Sequence, residues 1–339
     1  MNQKLLSVVI PCYNSEAYME HCIESLLTGG TRVEIIIVND GSKDHTGEIA
    51  NRYAMRFPHI VKAVHQPNGG HGEAVNTGIR NATGRFFKVV DSDDWVDAGA
   101  YLGILDVLDI YKDEIDMMIS NFVYEKQGAK HKKVMEYTGY LPVDKVFTWE
   151  DIKPFPIGKY LLMHSVIYRT ELIRQTGLEL PKHTFYVDNL YMYEPLPLVE
   201  RIYYINSDLY LYYVGSDEQS VNEKNVIKRI DQQILVTKMV IDSHDLNEVE
   251  KKSKRLYRYM LHELSMLICI CNVFLSIKGD RESVEKQKNL WRHLKAKDLR
   301  TYKKMRYGAM SALTHLPGKL GRKTTVGIYR IVNKIYKPN

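Results

Sequence analysis

Cysteine is scarce in this chain of 339 residues, which has only Cys12, Cys22, Cys269 and Cys271. No two of them have the Cys-x-x-Cys spacing of common zinc sites, and this excludes that class of metal centre. We therefore predict that the four thiols are small apolar fillers of a protein in a reducing compartment.

Long hydrophobic runs are missing as well. The most apolar stretch, Met266–Ile277, is shorter than the roughly 20 residues that a membrane-spanning helix needs, and Asn272 interrupts it. Met1–Lys4 leads directly into a strand-like segment rather than into the apolar core of a signal peptide. The sequence therefore predicts a cytoplasmic protein with a buried helix in this stretch.

The length and the charge distribution both favour two domains. The chain exceeds the roughly 250–300 residues at which a single hydrophobic core stops growing. Residues 281–339 contain 16 Lys or Arg and three acids, a balance of +13 in a chain whose total is +6. We predict an α/β domain at residues 1–215 and a mainly helical region with a basic tail at 216–339.

Short apolar runs alternate with helical stripes in the first hundred residues. The runs predict strands, and they are Leu5–Ile10, Glu34–Val38, Ile60–Val64 and Arg85–Val90. This alternation is typical of a Rossmann-like, mostly parallel sheet flanked by helices. Met117–Tyr124 predicts a further strand, whereas Lys159–Arg174 fits either a strand or a helix.

Acidic side chains follow two of the predicted strands. Asp40 ends the second strand, and Asp91, Asp93 and Asp94 end the fourth. Ligands of open parallel sheets bind beyond the carboxyl ends of the strands, although Asp is also common in turns and at helix caps, where Asp94 fits. Two carboxylates spaced as in Asp-Ser-Asp suit a divalent cation that neutralises a departing diphosphate.

Five motifs together resemble those of family-2 glycosyltransferases, which have the GT-A fold. They are Val8–Asn14, Ile36–Ser42, Asn68–Gly70, Asn76 with Gly78, and Asp91–Asp94. They occur in the order and at the spacing of that family. The resemblance is strong over the first hundred residues and weaker beyond them.

The resemblance implies a nucleotide-sugar donor and a role for each matched residue. Tyr13 would lie near the base, and Asp40 would accept a hydrogen bond from it, as from a uracil imide. Asp91 and Asp93 would bind Mn²⁺ or Mg²⁺, with Asp93 the direct ligand. The implied donor contacts are Pro11, Cys12, Tyr13, Asn14, Asp40, Asn68, Gly70, Asn76, Asp91 and Ser92. Such enzymes usually invert the anomeric carbon.

One position departs from the family pattern. Members often carry Ala-Arg-Asn after the glycine-rich loop, and the arginine helps to hold the nucleotide. Here Val75 replaces that arginine. Arg80, Lys88 and His71 are the candidates that would supply the missing positive charge.

Inverting transfer also needs a base that takes the acceptor proton. In family-2 glycosyltransferases this base is often an Asp before an apolar helix. The resemblance therefore implies that Asp188 is the base. The family often has Glu-Asp here, whereas this chain has Val187. The alternative is that Asp188 caps the helix. His164 fits either a contact with the donor phosphates or the metal, or a structural role.

The basic tail predicts a peripheral contact with the inner face of the cell membrane. Its last segment, Val326–Tyr336, resembles a basic amphipathic helix on an anionic surface, which would suit a lipid-linked acceptor. The alternative is a solvated charged face whose apolar side packs on the catalytic domain. No recognition helix, RNA platform or zinc finger is apparent, so nucleic acid is not an expected partner. The oligomeric state stays open.

We therefore expect an inverting, metal-dependent glycosyltransferase that uses a UDP-sugar and builds a cell-surface polysaccharide or glycolipid. A nucleotidyltransferase is one alternative, but it usually has a glycine-rich basic signature after the first strand. A non-catalytic binding module on the same fold is the other. The Asp residues argue against it, whereas Val75 argues for it.

Overall fold

The structure is a computed structural model that describes residues 3–126, 132–215, 223–308, 321, 323–327, 329 and 330. The chain divides into two compact units. The first comprises Met1–Lys153 and Leu161–Gly215, and the second comprises Pro154–Tyr160 and Ser216–Asn339.

The first unit is built on one sheet flanked by helices. Its strands are β1 Leu6–Cys12, β2 Val33–Asp40, β3 Val61–Gln66, β4 Phe86–Val89, β5 Trp95–Val96, β6 Met117–Lys126, β7 Lys133–Met135, β8 Val146–Phe147, β9 Val166–Arg169 and β10 Ile202–Val214. Its helices are α1 Met19–Leu27, α2 Thr46–Arg56, α3 His71–Asn81, α4 Ala98–Ile110, α5 Thr170–Thr176 and α6 Asp188–Tyr193.

The strand order is β3-β2-β1-β4-β9-β6-β10-β5. Strands β3, β2, β1 and β4 are parallel, and β6 pairs with β10 in parallel. Strand β9 is antiparallel to both of its neighbours, β4 and β6, and so breaks the parallel run. This confirms the α/β fold with its parallel N-terminal half. It also brings the carboxyl ends of β1, β2 and β4 to one edge.

Continuous apolar runs explain why the central parallel strands β1, β2 and β4 are buried on both faces. Every residue of β1 is buried, and β2 is buried except at Glu34. Helix α3 packs close to this sheet because Gly78 has no side chain. A Cβ atom at that position would overlap the side chain of Val9. The glycine therefore fixes the height of α3 above the sheet.

The ambiguous stretch 159–174 contains both predicted types of structure. A 3₁₀ turn at Met163–Ser165 leads into β9, and α5 follows at once. The strand is short because only Val166–Tyr168 form a fully buried β-prone run. The turn before it places His164 at the end of the sheet that holds the acidic residues, as the site geometry below shows.

The second unit is mainly helical, as predicted. Its helices are α7 Glu223–Lys228, α8 Ile230–Ser243, α9 Leu246–Lys252, α10 Lys254–Lys278, α11 Arg281–Lys297 and α12 Leu299–Arg306. The stretch Met266–Ile277, which is too short by itself to span a membrane, is part of α10, which has 25 residues. By length and composition alone α10 is able to cross a membrane, and 56% of its most apolar window is buried.

Several basic side chains of α11 and α12 contact the second unit itself. Arg300 pairs with Glu250 at 2.5 Å, and Lys304 donates to Tyr257 Oη at 2.9 Å. Lys297 donates to the carbonyl of Asp242 at 3.0 Å. These contacts all lie within the second unit, so the predicted packing on the catalytic domain stays a prediction. Most of Val326–Tyr336 lies outside the described residues, and its membrane contact stays a prediction.

Candidate active site

Asp40 holds the glycine-rich loop after β3 in place. Its carboxylate is 2% exposed and accepts hydrogen bonds from Gln66 Nε2 and Gly69 N, each at 2.7 Å, and from Gly70 N at 2.8 Å. Asn68 Nδ2 donates to the carbonyl of Asp40 at 2.9 Å. Sequence reasoning missed this structural role of Asp40. Its predicted contact with a base stays a prediction.

We expect Asp40→Ala to lower the free energy of unfolding by about 2–4 kcal/mol, because it leaves buried N–H groups without an acceptor. Urea denaturation measures the effect. Asp109→Ala is the control, since Asp109 is an exposed carboxylate on α4 that pairs with Lys112, and its loss should stay within about 0.5 kcal/mol. Equal effects of the two substitutions would show that Asp40 does not organise the loop.

The ends of the motifs Val8–Asn14 and Ile36–Ser42 lie side by side beyond β1 and β2. Asn14 has a positive φ of 51°, its backbone N–H donates to Ser42 Oγ at 3.0 Å, and its Oδ1 accepts from Lys43 N at 2.9 Å. The neighbouring Tyr13 is 49% exposed and Pro11 is buried. The accessible ring of Tyr13 suits its predicted place near a base.

Three predicted donor contacts are instead buried in the structure. Cys12 lies in the core, where burial raises the pKa of its thiol. Ser92 is buried, with its Oγ 3.0 Å from Ser15 Oγ. The side-chain amide of Asn76 is bonded to the main chain of Leu180. These side chains are used by the nearest internal partners, as is usual for buried polar groups. The predicted contacts of these residues with the donor stay predictions.

Asp94 is a buried carboxylate of the turn after β4. Its Oδ2 accepts from Tyr210 Oη at 2.6 Å, and its Oδ1 accepts from Tyr213 N at 2.8 Å. It does not cap the next helix, since the N-cap of α4 is Asp97, which accepts from Ala100 N. Burial, together with the charges of the neighbouring aspartates, raises the pKa of Asp94 well above its usual value.

Asp91 forms an ion pair with His71, the first residue of α3. The distance from His71 Nε2 to Asp91 Oδ1 is 2.8 Å. Burial opposes charge on both groups, but their hydrogen bond and mutual attraction outweigh it. The pKa of His71 is therefore raised and the pKa of Asp91 is lowered. Burial and the charge of Asp91 raise the pKa of Asp93 to about 6.

His164 offers a nitrogen without a hydrogen-bond partner. Its ring stacks on Tyr210 and Tyr212, with centroids 4.6 and 4.8 Å apart. Its Nδ1 is buried and has no partner among the described residues. Burial lowers the pKa of His164 to about 4, so the imidazole is neutral near pH 7. A neutral imidazole with a free buried nitrogen is suited to binding a metal.

The structure groups His164 with two carboxylates. One ligand atom each from Asp91, Asp94 and His164 lies within 4.8 Å of the other two. Two carboxylate oxygens and an imidazole nitrogen fit Mn²⁺, and the unpaired Nδ1 gives a physical reason for a ligand there. Asp91 was predicted for this role from sequence. Asp93 does not belong to this group, and its assignment as the direct ligand stays a prediction.

Of the three cations suggested as substitutes for the missing arginine, only His71 hydrogen-bonds an acidic residue of the site. Arg80 pairs with Glu73 at 2.8 Å on the exposed side of α3. Lys88 is fully buried and its Nζ donates to the carbonyl of His164 at 2.7 Å. Burial lowers the pKa of Lys88 to about 7, against the attraction of Asp91.

Asp188 begins α6 but does not cap it. The N-cap residue is Val187, and no side-chain hydrogen bond caps this helix. Burial raises the pKa of Asp188 to about 6, while the charge of His71 lowers it and the charge of Asp91 raises it. Asp188 is therefore the first residue of the helix rather than its N-cap. The carboxylate lies close enough to His71 and Asp91 to share their electrostatic field.

This geometry agrees with the comparison with known proteins. Residues 7–171 match the model of the family described as Glycosyl transferase family 2. The resemblance to family-2 glycosyltransferases is therefore confirmed over these residues. The family-2 match includes Asp40, Asp91 and His164, whereas Asp188 lies beyond it.

Relatives and solved structures show how far the family-2 likeness extends. The chain is 29% identical over 211 residues to the uncharacterized glycosyltransferase EpsJ of Bacillus subtilis, covering 61% of this chain and 60% of that protein. The chain thus spans less than two thirds of the length of EpsJ. TarS residues 1–349 of Staphylococcus aureus, in complex with UDP-GlcNAc, superpose with a TM-score of 0.68 at 18% identity, covering 97% of this chain and 92% of that one.

A second solved structure has the same fold at greater distance. The mannosyltransferase PcManGT of Pyrobaculum calidifontis, in complex with GDP-Man and Mn²⁺, gives a TM-score of 0.52 at 12% identity and covers 99% of this chain and 88% of that chain. Both superpositions confirm the predicted GT-A fold.

Proposed function

We propose that the protein transfers a sugar from a nucleoside-diphosphate donor to an acceptor hydroxyl, with inversion at the anomeric carbon. The observation that carries the proposal is the group of Asp91, His71, His164 and Asp188 at the carboxyl edge of a family-2 domain. Residues 1–215 are the proposed catalytic domain, and residues 216–339 are the proposed accessory region.

The proposed donor is a UDP-sugar. The exposed ring of Tyr13 and the adjoining loop of Asn14 offer a surface for a base and ribose beyond β1. Asn68 and Gly70 lie in the loop that Asp40 holds beside it. TarS, which shares the fold, was solved with UDP-GlcNAc. The likeness supports the class of donor but does not extend to the sugar.

The proposed cofactor is Mn²⁺ or Mg²⁺, held by Asp91, Asp94 and His164. When bound, the cation supplies positive charge to the diphosphate that leaves the donor. His71 orients Asp91 through the hydrogen bond of 2.8 Å, as residues around metal ligands commonly do. Its imidazolium also adds a positive charge beside the acidic residues, which the missing arginine would otherwise provide.

Asp188 is the proposed general base. Its carboxylate takes the proton from the acceptor hydroxyl as the oxygen attacks the anomeric carbon and the bond to the diphosphate breaks. With a pKa of about 6, Asp188 is mostly ionised at neutral pH yet remains a better proton acceptor than an ordinary aspartate. Burial is the main cause of this raised pKa, and the charges of His71 and Asp91 shift it in opposite directions.

The rate of transfer should depend on the ionisation of Asp188. Because the base must be deprotonated and its pKa is about 6, we expect kcat to fall about tenfold per pH unit below pH 6 and to level off above it. Measurement of kcat from pH 4.5 to 8 at saturating metal and acceptor tests this. A profile without this limb would contradict the base assignment.

The proposed acceptor is a glycan or a lipid-linked sugar of the cell surface, reached from the cytoplasmic side. The basic residues after position 306 are the proposed contact with an anionic membrane. Vesicles with and without anionic lipid test that contact by co-sedimentation.

Product analysis separates glycosyl transfer from its two alternatives. The protein is incubated with nucleotide sugars and, separately, with nucleoside triphosphates and sugar phosphates. Release of nucleoside diphosphate from a nucleotide sugar supports glycosyl transfer. Release of pyrophosphate from a triphosphate would identify a nucleotidyltransferase, and binding of donor without turnover would identify a binding module.

A further inference from the structure

The segment before Asp188 is tied to helix α3 through one buried amide. Asn76 Nδ2 donates to the carbonyl of Leu180 at 2.9 Å, and Leu180 N donates to Asn76 Oδ1 at 3.0 Å. Asn76 is only 3% exposed. The reciprocal pair fixes both the distance and the orientation of the main chain at Leu180. A single hydrogen bond would fix only the distance.

A second connection joins the loop before α3 to the same segment. His183 N donates to the carbonyl of Gly69 at 2.8 Å. Gly72 allows the close approach, because a Cβ atom there would lie 2.8 Å from the carbonyl oxygen of Pro181. Gly70, at φ 83°, would place a Cβ atom 2.9 Å from His183 N. The start of α3 and the segment 180–183 are therefore in backbone contact.

The two segments in contact hold different parts of the proposed site: one holds a donor-side residue, and the other leads to the base that acts on the acceptor. Helix α3 begins with His71, which pairs with the donor-side carboxylate Asp91. The segment 180–183 leads within a few residues to Asp188, the proposed base. Transfer requires the base to lie at a fixed place relative to the anomeric carbon, and a misplacement of about 1 Å costs about 100-fold in rate.

We propose that Asn76 is a positioning residue, which places Asp188 relative to the donor by holding the main chain at Leu180. This inference rests on the proposed function. Asn76 acts through the position of Asp188, because its side-chain amide is bonded to the main chain of Leu180. Its removal therefore lowers the rate of transfer and leaves the affinity for the donor as it was.

The test combines Asn76→Ala with Asp188→Asn in a double-mutant cycle. We expect Asn76→Ala to lower kcat about 100-fold with an unchanged donor Kd. In the Asp188→Asn background the same substitution should have little further effect, because the base that it positions is gone. Asn81→Ala is the matched control, since Asn81 ends the same helix and bonds to Thr77 and Lys62. It should keep kcat within about twofold of the wild type.

A second variant keeps the side-chain amide of Asn76. It tests the inference even if Asn76→Ala does not fold. Gly72→Ala forces the main chain at Pro181 away, so the same selective loss of kcat is expected. Gly103→Ala is its control, because a Cβ atom there meets nothing within 4 Å. Wild-type kcat in Gly72→Ala, or losses from Asn76 and Asp188 that multiply, would overturn the inference. An inactive wild type would instead overturn the proposed function.

Discussion

Asp188→Asn is expected to lower kcat about 10³-fold while donor affinity stays unchanged, because the amide keeps the shape of the side chain but takes no proton. Steady-state kinetics with saturating acceptor and a separate donor Kd measure the two quantities. Asp106→Asn on α4 is the control, since Asp106 is exposed and pairs with Arg32. A wild-type kcat would contradict the role of Asp188 as the base.

The same variant should also be more stable near neutral pH. The folded-state pKa of Asp188 is raised to about 6 from 3.8, so its ionised form is disfavoured in the folded protein. This cost is absent below the unfolded pKa, grows between pH 4 and 6, and is complete above pH 6. We therefore expect a higher Tm for Asp188→Asn at pH 7.5 but not at pH 3.5. A lower Tm at pH 7.5 would indicate a structural role for the carboxylate.

His164→Phe is expected to raise the Mn²⁺ concentration for half-maximal activity by at least about 100-fold, because it removes a proposed ligand atom. Phenylalanine keeps an aromatic ring between Tyr210 and Tyr212 and so retains the stacking. A titration of activity with Mn²⁺ measures the shift, and excess metal should restore part of the rate.

Two further variants make the metal result decisive. His45→Ala is the control, because His45 is exposed and pairs with Glu48 beside α2. Asp93→Ala tests the ligand that the family resemblance implies. A shift in Asp93→Ala but not in His164→Phe would assign the cation to Asp91 and Asp93 and contradict the assignment of His164.

The parallel half of the fold was predictable because its strands are continuous apolar runs. Strand β9 was not, since four residues between a 3₁₀ turn and a helix give no clear period. The antiparallel place of β9 depends on pairing with β4 and β6, which are distant in sequence. Local patterns do not contain such pairings.

The candidate site was predictable only where it lies in local motifs. The turn Asp91–Asp94 was predictable because its acidic residues directly follow an apolar strand. His164 was recognised as a candidate, but its place in the site depends on stacking against Tyr210 and Tyr212 of β10, which lie nearly fifty residues later. Cys12, Asn76 and Ser92 lie in matching motifs, yet the sequence does not show which way their side chains face. His71 was predictable as a candidate for the missing positive charge, because it directly follows the glycine-rich loop.

The central claim is that this site transfers sugar from a nucleotide donor with the help of a divalent cation. The most direct measurement is release of nucleoside diphosphate from a panel of nucleotide sugars, with Mn²⁺, with EDTA, and with Mn²⁺ restored in excess. We predict release from one class of donor that EDTA abolishes and added Mn²⁺ recovers. Release that persists unchanged in EDTA would contradict the metal site, and failure of every donor both to bind and to react would contradict the proposed function.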